Sequence, residues 1–461
     1  MAKDVFGERF QWKPIFFIVM LIVLVIAGIA VFYVGAPPEI NIQLTMPNIG
    51  KRTPVTIEVA EPRRGLTHVR VELIQDGNAA VLDEKIYKPS TQIPFIGNKT
   101  EKDTLSVIAG LETFPELKGG QVIIRITVGR AGTWLRSPSD TVQDLTLPVR
   151  LTPPSLQVTS TQTYVTQGGC EAVTYRVGES AVRDGVRAGD RWFPGYPLPG
   201  GGSNDRFALF AVPYDMSTLD VRLFAEDSAG NTAETGFIDN FTRRRPRTDT
   251  IQVSDTFLNK VVPPILSQTP EIREQGTLLD SYLMINRELR ESNAETIAAL
   301  ANNSQRSFLW NKRFLMMPNT KAMAGFAERR TYLYQGREID QQDHLGLDLA
   351  QVRQAPVPAA NDGVIVLARF LGIYGNAVVI DHGYGLMTIY GHLSSIAVTE
   401  GQKVSREEII GRTGETGLAG GDHLHYCTLL MGLPVDPIEW SDGNWIRNRI
   451  ARKIGMTFSV E

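Results

Sequence analysis

With 461 residues the chain is long enough for about three domains, and its net charge of −3 gives no global reason to expect nucleic acid as a partner. Its two cysteines, Cys170 and Cys427, lie far apart and exclude a disulfide framework of the small secreted kind.

The first element is apolar. From Ile15 to Val34 there is no charge, and only Gly28 interrupts the aliphatic and aromatic side chains. As a helix, such a run extends about 30 Å, the thickness of a bilayer's hydrocarbon core. Lys3, Arg9 and Lys13 precede it. The positive-inside rule therefore predicts a short cytoplasmic tail at residues 1–14 and an anchor over 15–35. A cleaved signal peptide has a shorter apolar region, of about 7–15 residues. The expectation is a single pass through the cell (inner) membrane, with the bulk of the chain periplasmic or wall-facing.

Residues 37–152 read as a first β-sandwich module. Ile40, Ile42 and Leu44 alternate with polar neighbours, as do Val55, Ile57 and Val59, then Val69, Val71 and Leu73, then Ile124, Ile126 and Val128. His68 falls on the face opposite Val69, beside Arg70 and Glu72, and reads as a solvated strand residue. Pro153-Pro154 marks the boundary. A second β module is predicted over 153–242, with a turn-rich loop from Pro194 to Gly202. Its closing stretch, Val221 to Asn231, resembles the last hairpin of bacterial immunoglobulin-like modules. Such modules commonly serve as spacers, and a surface for cell-wall or envelope protein partners is their other use.

Residues 243–307 form a basic linker and helical connector. Arg243-Arg244-Arg245-Pro246-Arg247 reads as a solvated linker. Leu278, Leu279, Tyr282, Ile285 and Leu289 then make one helical stripe, predicted to pack on a neighbouring domain. Ser292-Asn293-Ala294-Glu295 has the capping-box pattern and predicts a new helix from there through Leu300. Within the tail at 443–461, Asn444 to Ile454 predicts a short closing helix.

All but one of the six histidines lie between Phe308 and Trp440. A zinc ion that does chemistry takes three protein ligands from His, Asp, Glu or Cys and keeps a fourth position for water. Asp343-His344-Leu345-Gly346-Leu347-Asp348 and Asp422-His423-Leu424-His425-Tyr426 can supply His344, Asp348 and one of His423 and His425. On a strand, His423 and His425 point the same way. Fully extended, His344 and Asp348 would stand about 13 Å apart, too far for one ion. The chain must therefore bend between them. Gly346 permits a bend, and its missing side chain leaves room beside a metal.

His-x-x-x-Asp followed much later by His-x-His resembles the lysostaphin/LytM-type family of zinc endopeptidases, which cut peptide cross-links in bacterial peptidoglycan. The likeness extends over about residues 320–440. It includes Tyr374-Gly375-Asn376, Val378-Val379-Ile380-Asp381-His382, Tyr390-Gly391-His392-Leu393, Gly401-Gln402-Lys403-Val404, Ile410-Gly411-Arg412-Thr413-Gly414 and Pro434-Val435-Asp436-Pro437. The resemblance implies one Zn2+ held by His344, Asp348 and His425, with His392 and His423 as catalytic histidines that do not bind it. His382 has no catalytic counterpart. The implied partners are peptidoglycan stem or cross-link peptides. The implied fold over 308–442 is an antiparallel β catalytic domain, LytM-like, a barrel-sandwich hybrid.

The whole chain is then expected to be mostly β, with an N-terminal transmembrane helix, two immunoglobulin-like β-sandwich modules, a helical connector and the catalytic domain. Some family members have lost their ligands and act as non-enzymatic scaffolds or amidase activators; here every ligand position is filled. Two departures stand out. Cys427 alternates in register with His425, which opens the question of whether it faces the site. Ala327 occupies a turn position where the family commonly has glycine.

Overall fold

The computed structural model describes residues 12–32, 35–88, 99–133 and 136–459. The chain divides into two compact units, Met1–Pro153 with Glu226–Thr232, and Pro154–Ala225 with Ala233–Glu461.

Trp12–Phe32 forms helix α1, whose side chains from Ile15 to Ile26 are exposed. Among the described residues, no helix is long and apolar enough to cross a membrane. Tyr33 and Val34, at the end of the predicted span, lie outside the described residues.

The rest of the first unit is two antiparallel sheets. One orders Glu39–Leu44, Thr53–Ala60 and Lys102–Ala109; the other orders Asn78–Ile86, Leu66–Gln75, Gly120–Arg130 and Thr141–Val149. The alternation in the sequence lines one core, in which Val55, Ile57, Val69, Val71, Leu73, Ile124 and Ile126 are almost completely buried. His68 stays partly exposed and faces Asp140, Nε2 to Oδ2 3.2 Å. Residues 226–232 group with this unit through Asn231, which accepts the Lys51 N–H (3.1 Å) and donates to the Arg150 carbonyl (2.9 Å).

In the second unit, two four-stranded sheets come first. One contains Cys170–Val177 and Asp205–Ala211, the other Ala181–Ala188 and Val221–Asp227. Tyr175, Val186, Phe193, Phe207 and Leu223 fill the core they share. The basic run that follows is not simply solvated. Arg244 donates to Asp436 (Nη2 to Oδ2, 2.5 Å) and lies over the Phe326 ring at 5.1 Å. Arg247 opens strand β1 (Arg247–Val253). Arg243 and Arg245 keep to solvent.

Helix α2 (Asp255–Gln268) is capped by Ser254, whose hydroxyl accepts the Phe257 N–H. Helix α3 (Leu278–Met284) opens on a capping box of Thr277 and Asp280. It runs through a π turn, Ile285–Leu289, into α4 (Arg290–Leu300). The helix start predicted at Ser292 is therefore corrected: the helix is already under way there, and no free amide is left to cap. Ser292 gives its carbonyl to the Thr296 hydroxyl (2.9 Å), and buried Asn293 accepts the Ile373 N–H (2.9 Å). The apolar stripe behaves as predicted: Tyr282, Ile285 and Leu289 join Leu258, Val261, Val262 and Ile265 of α2 around Tyr332 and Ile373.

Strands β2 (Glu328–Tyr334) and β3 (Arg337–His344) form an antiparallel pair, and β1 adds to β2 in parallel, Asp249 opposite Arg330. A large antiparallel sheet carries β4 (Leu347–Ala350), β5 (Leu386–Leu393) and β6 (Leu424–Leu430). Its order is Lys321–Ala324, β4, β6, β5, Asn376–Asp381, Gly363–Phe370 and Lys403–Val404, with Leu433–Val435 also on β6. Asp348 pairs with His425 across β4 and β6, and Gly391 with His425 across β5 and β6. These two pairings set the site at the middle of the sheet.

Candidate metal centre and active site

His344 ends β3, and Asp348 is the second residue of β4. The chain turns between them at Leu345-Gly346, which brings side chains four residues apart into contact. A methyl at Gly346 would lie 2.6 Å from Cε1 and 2.7 Å from Nε2 of His425. The room expected beside the ligands is therefore real, and the imidazole of His425 occupies its edge.

Three donor atoms converge. His344 Nε2 stands 2.9 Å from Asp348 Oδ1 and 3.1 Å from His425 Nδ1, and His425 Nδ1 stands 3.1 Å from Asp348 Oδ1. All three residues are buried, and this is the one such His/Asp group found among the described residues. Ligands about 2.0–2.1 Å from a tetrahedral zinc are separated from one another by about 3.3 Å. The observed triangle is slightly tighter, so the donor set fits one small ion with little movement.

The tautomers follow from the partners. His344 Nδ1 lies 2.9 Å from the Gly325 carbonyl, which can only accept, so Nδ1 carries the proton and Nε2 turns its lone pair inward. A backbone carbonyl holding the outer nitrogen of an imidazole is the usual support of a metal-binding histidine. The same device recurs twice next door. His392 Nδ1 donates to the Thr416 carbonyl and His423 Nδ1 to the Gly421 carbonyl, each at 2.8 Å. Their rings stand 4.8 Å apart, and His392 is 5.8 Å from His425.

Electrostatics divides these groups. Burial works against the Asp348 carboxylate, but the imidazoles of His344, His423 and His425 facing it outweigh that and hold its pKa well below the usual value. Burial pushes His425 down to about 4, and pushes His392 well below its ordinary value with help from His423 and His425. His423 goes the other way. Burial opposes its charge, yet Asp348 Oδ1 at 3.5 Å prevails and raises its pKa. The site therefore pairs a persistently neutral imidazole with a readily protonated one. His392 also sits in the left-handed backbone region at φ +62°. Such strain in a non-glycine residue persists only where surrounding structure enforces it.

The remaining sequence candidates separate from the site. His382 is completely buried: Nδ1 donates to the Asp362 carbonyl (2.7 Å), and Nε2 accepts the Thr388 hydroxyl (2.8 Å). Cys427 packs with Met387, Ile389 and Leu429, its thiol 3.4 Å from the Thr428 carbonyl, and is not part of the ligand group. Both cysteines are free and buried. Asp422 is engaged by Thr413 and Gln354, and Asp343 by the Tyr214 hydroxyl. Ala327 takes the turn that glycine would favour, at φ +60°. The sequence reading missed Arg330, whose Nη2 donates to Asp348 Oδ2 at 2.8 Å. Its signal was faint: Glu328 and Arg330 alternate on one strand face, two residues apart.

Residues 342–437, which carry this constellation, match the family described as Peptidase family M23. The peptidoglycan DD-endopeptidase ShyA of Vibrio cholerae is 34% identical over 172 residues, 37% of this chain and 37% of its own length. The DD-carboxypeptidase/endopeptidase Mpg of Neisseria meningitidis is 45% identical over 96 residues, 21% of this chain and 22% of its own. The chain thus spans well under half the length of either curated relative. The catalytic domain of the antimicrobial peptidase lysostaphin from Staphylococcus simulans aligns at 24% identity over 31% of this chain and 96% of its own, with a TM-score of 0.20.

Proposed function

We propose that the chain is a membrane-anchored zinc metalloendopeptidase that hydrolyses peptide cross-links of bacterial peptidoglycan. The observation that carries this reading is the convergence of His344, Asp348 and His425 on one point, beside two histidines whose outer nitrogens are fixed by carbonyls. The names of the curated relatives supply the substrate class. In this reading His344, Asp348 and His425 hold one Zn2+. When bound, zinc polarises a carbonyl and makes its water acidic. His392, neutral and with its Nε2 lone pair free, accepts the proton of the attacking water. His423, the more readily protonated imidazole, donates a hydrogen bond to the developing oxyanion. Leu424 and Tyr426 are buried on either side of His425.

Zinc content and turnover on purified peptidoglycan, measured on the same four variants, test the assignment. Asp348→Ala and His425→Ala should lose zinc and activity together. His392→Ala and His423→Ala should keep zinc while turnover falls about 10²–10⁴-fold, as for a lost acid–base group. Zinc surviving without His425 but lost without His423 would reverse the two roles. An unmodified protein that binds no zinc and cuts nothing would leave a non-enzymatic scaffold or amidase activator.

For the anchor, the supporting feature is α1. Its exposed side chains from Ile15 to Ile26 are all apolar, so it has no polar face to turn to water. With Lys3, Arg9 and Lys13 ahead of it, the N-terminus belongs on the cytoplasmic side. A reporter fused after Glu461 should be active outside the cytoplasm only; activity inside, or a mature N-terminus near Gly35, would replace the anchor.

A further inference from the structure

The carboxylate of Asp348 is divided between two tasks. Oδ1 faces the histidines, 2.9 Å from His344 Nε2 and 3.1 Å from His425 Nδ1. Oδ2 faces the other way and accepts Arg330 Nη2 at 2.8 Å. Arg330 is itself held from behind, since its Nε donates to Glu328 Oε1 at 3.4 Å. All three side chains are largely withdrawn from solvent, 12% exposed for Asp348, 18% for Arg330 and 15% for Glu328. Arg330 cannot swing away without taking the guanidinium from two largely buried carboxylates at once, which is strongly unfavourable.

We propose that Glu328 and Arg330 form a positioning relay that locks Asp348 as a one-oxygen ligand for the metal. This rests on the metallopeptidase reading above. A free carboxylate can rotate and offer both oxygens to a cation, which raises the coordination number and closes the position meant for water. With Oδ2 tied to a guanidinium, only Oδ1 is free to ligate, and the fourth position stays open. Arginine suits the task because it stays charged and its nitrogens lie in one plane, so Nε can hold Glu328 while Nη2 holds Asp348.

The relay is also rigid from the backbone side. Arg330 sits at the middle of β2, opposite Gln342 of β3 on one flank and Asp249 of β1 on the other. Glu328 pairs with His344, so the base of the relay and the first ligand are neighbours across one ladder. A displacement of β2 therefore moves Arg330 and His344 together.

The test is zinc affinity by competition with a chelator, on the full chain carrying Arg330→Met, Arg330→Lys or Glu328→Gln. The thermal transition of the metal-free proteins is followed in parallel. Loss of a group that orients a ligand weakens metal binding about 10–100-fold. Arg330→Met should fall in that range, Arg330→Lys should recover part of the loss, and Glu328→Gln should show a smaller loss in the same direction. The Arg330→Met enzyme, saturated with zinc, should lose kcat with little change in KM. Affinity within twofold of the unmodified protein for both Arg330→Met and Glu328→Gln overturns the relay while leaving the metallopeptidase reading intact. If Arg330→Met does not fold, Glu328→Gln alone decides. An unmodified protein that takes up no zinc overturns both readings, and the chelator titration separates that outcome from the first.

Discussion

Gly346→Ala is the sharpest probe of how the ligands are packed. The added methyl would lie 2.6 Å from His425 Cε1, and the ring would have to retreat about 0.8 Å to reach an ordinary contact of 3.4 Å. The methyl cannot retreat instead, because the Tyr426 carbonyl stands 2.8 Å from it. Behind the imidazole lie Tyr374 at 5.6 Å and His392 at 5.8 Å between ring centres, so movement is resisted there too. Overpacking of this size destabilises by about 1–3 kcal/mol. Disturbing what orients a metal ligand weakens metal binding about 10–100-fold. At zinc near 100 times the native dissociation constant, binding stabilises the protein by about 2.7 kcal/mol; weakened a hundredfold, it contributes only about 0.4 kcal/mol. Thermal unfolding with and without zinc reads both effects. Gly346→Ala should unfold earlier without metal, and zinc should raise its transition by only about a sixth of the normal increment. An unchanged metal-free transition together with a full zinc-induced rise would refute the packing argument.

Two further outcomes are expected. Ala327→Gly removes a side chain from a left-handed position at φ +60° and should stabilise by about 0.5–1 kcal/mol after the entropy of the more flexible unfolded chain is subtracted, visible as a higher denaturant midpoint; a lower midpoint would count against strain there. Burial holds His382 down to about 4, while the unfolded chain takes up that proton near pH 6.5. Between those values the unfolded state binds more protons, so stability rises with pH across that window, and about 3 kcal/mol is lost in all as the pH is lowered from 6.5 to 4. His382→Gln removes this titration and should flatten the dependence of unfolding free energy on pH between 6.5 and 4, and an undiminished slope would show that other groups dominate.

The donor set was legible in the sequence because its geometry is mostly local. His344 and Asp348 lie one bend apart, and His423 and His425 share a strand face, so period and spacing nominated His344, Asp348 and one of the pair, while the choice of His425 came from the family likeness. His382 could be set aside only through the family likeness; the reason it is inert, a closed hydrogen-bond chain through Thr388 to Tyr390, depends on register. What escaped the sequence reading was long-range pairing. Whether Ser292 begins a helix depends on Asn293 reaching Ile373 and on a helix already started at Thr277. The capping pattern was present, but tertiary packing overrode it. The arginine run had the composition of a linker, and nothing nearby in sequence announced Asp436 as the partner of Arg244. Arg330 was hidden for the same reason, since the charge it serves arrives from another strand.

The parallel seating of β1 against β2 bears on how this domain can be moved or trimmed. The stretch that matches family M23 starts at residue 342, yet the ladder supporting its first ligand strand begins at Arg247. A cut at residue 308 would free the whole backbone edge of β2 and bare the apolar flank that α2 and α3 cover at Tyr332 and Ile373. Open edges of that kind recruit other chains. The portable unit is thus larger than the recognisable one: a junction that keeps the ladder and its apolar cover intact has to fall before Arg247, so that the helical segment travels with the matched domain as part of its body.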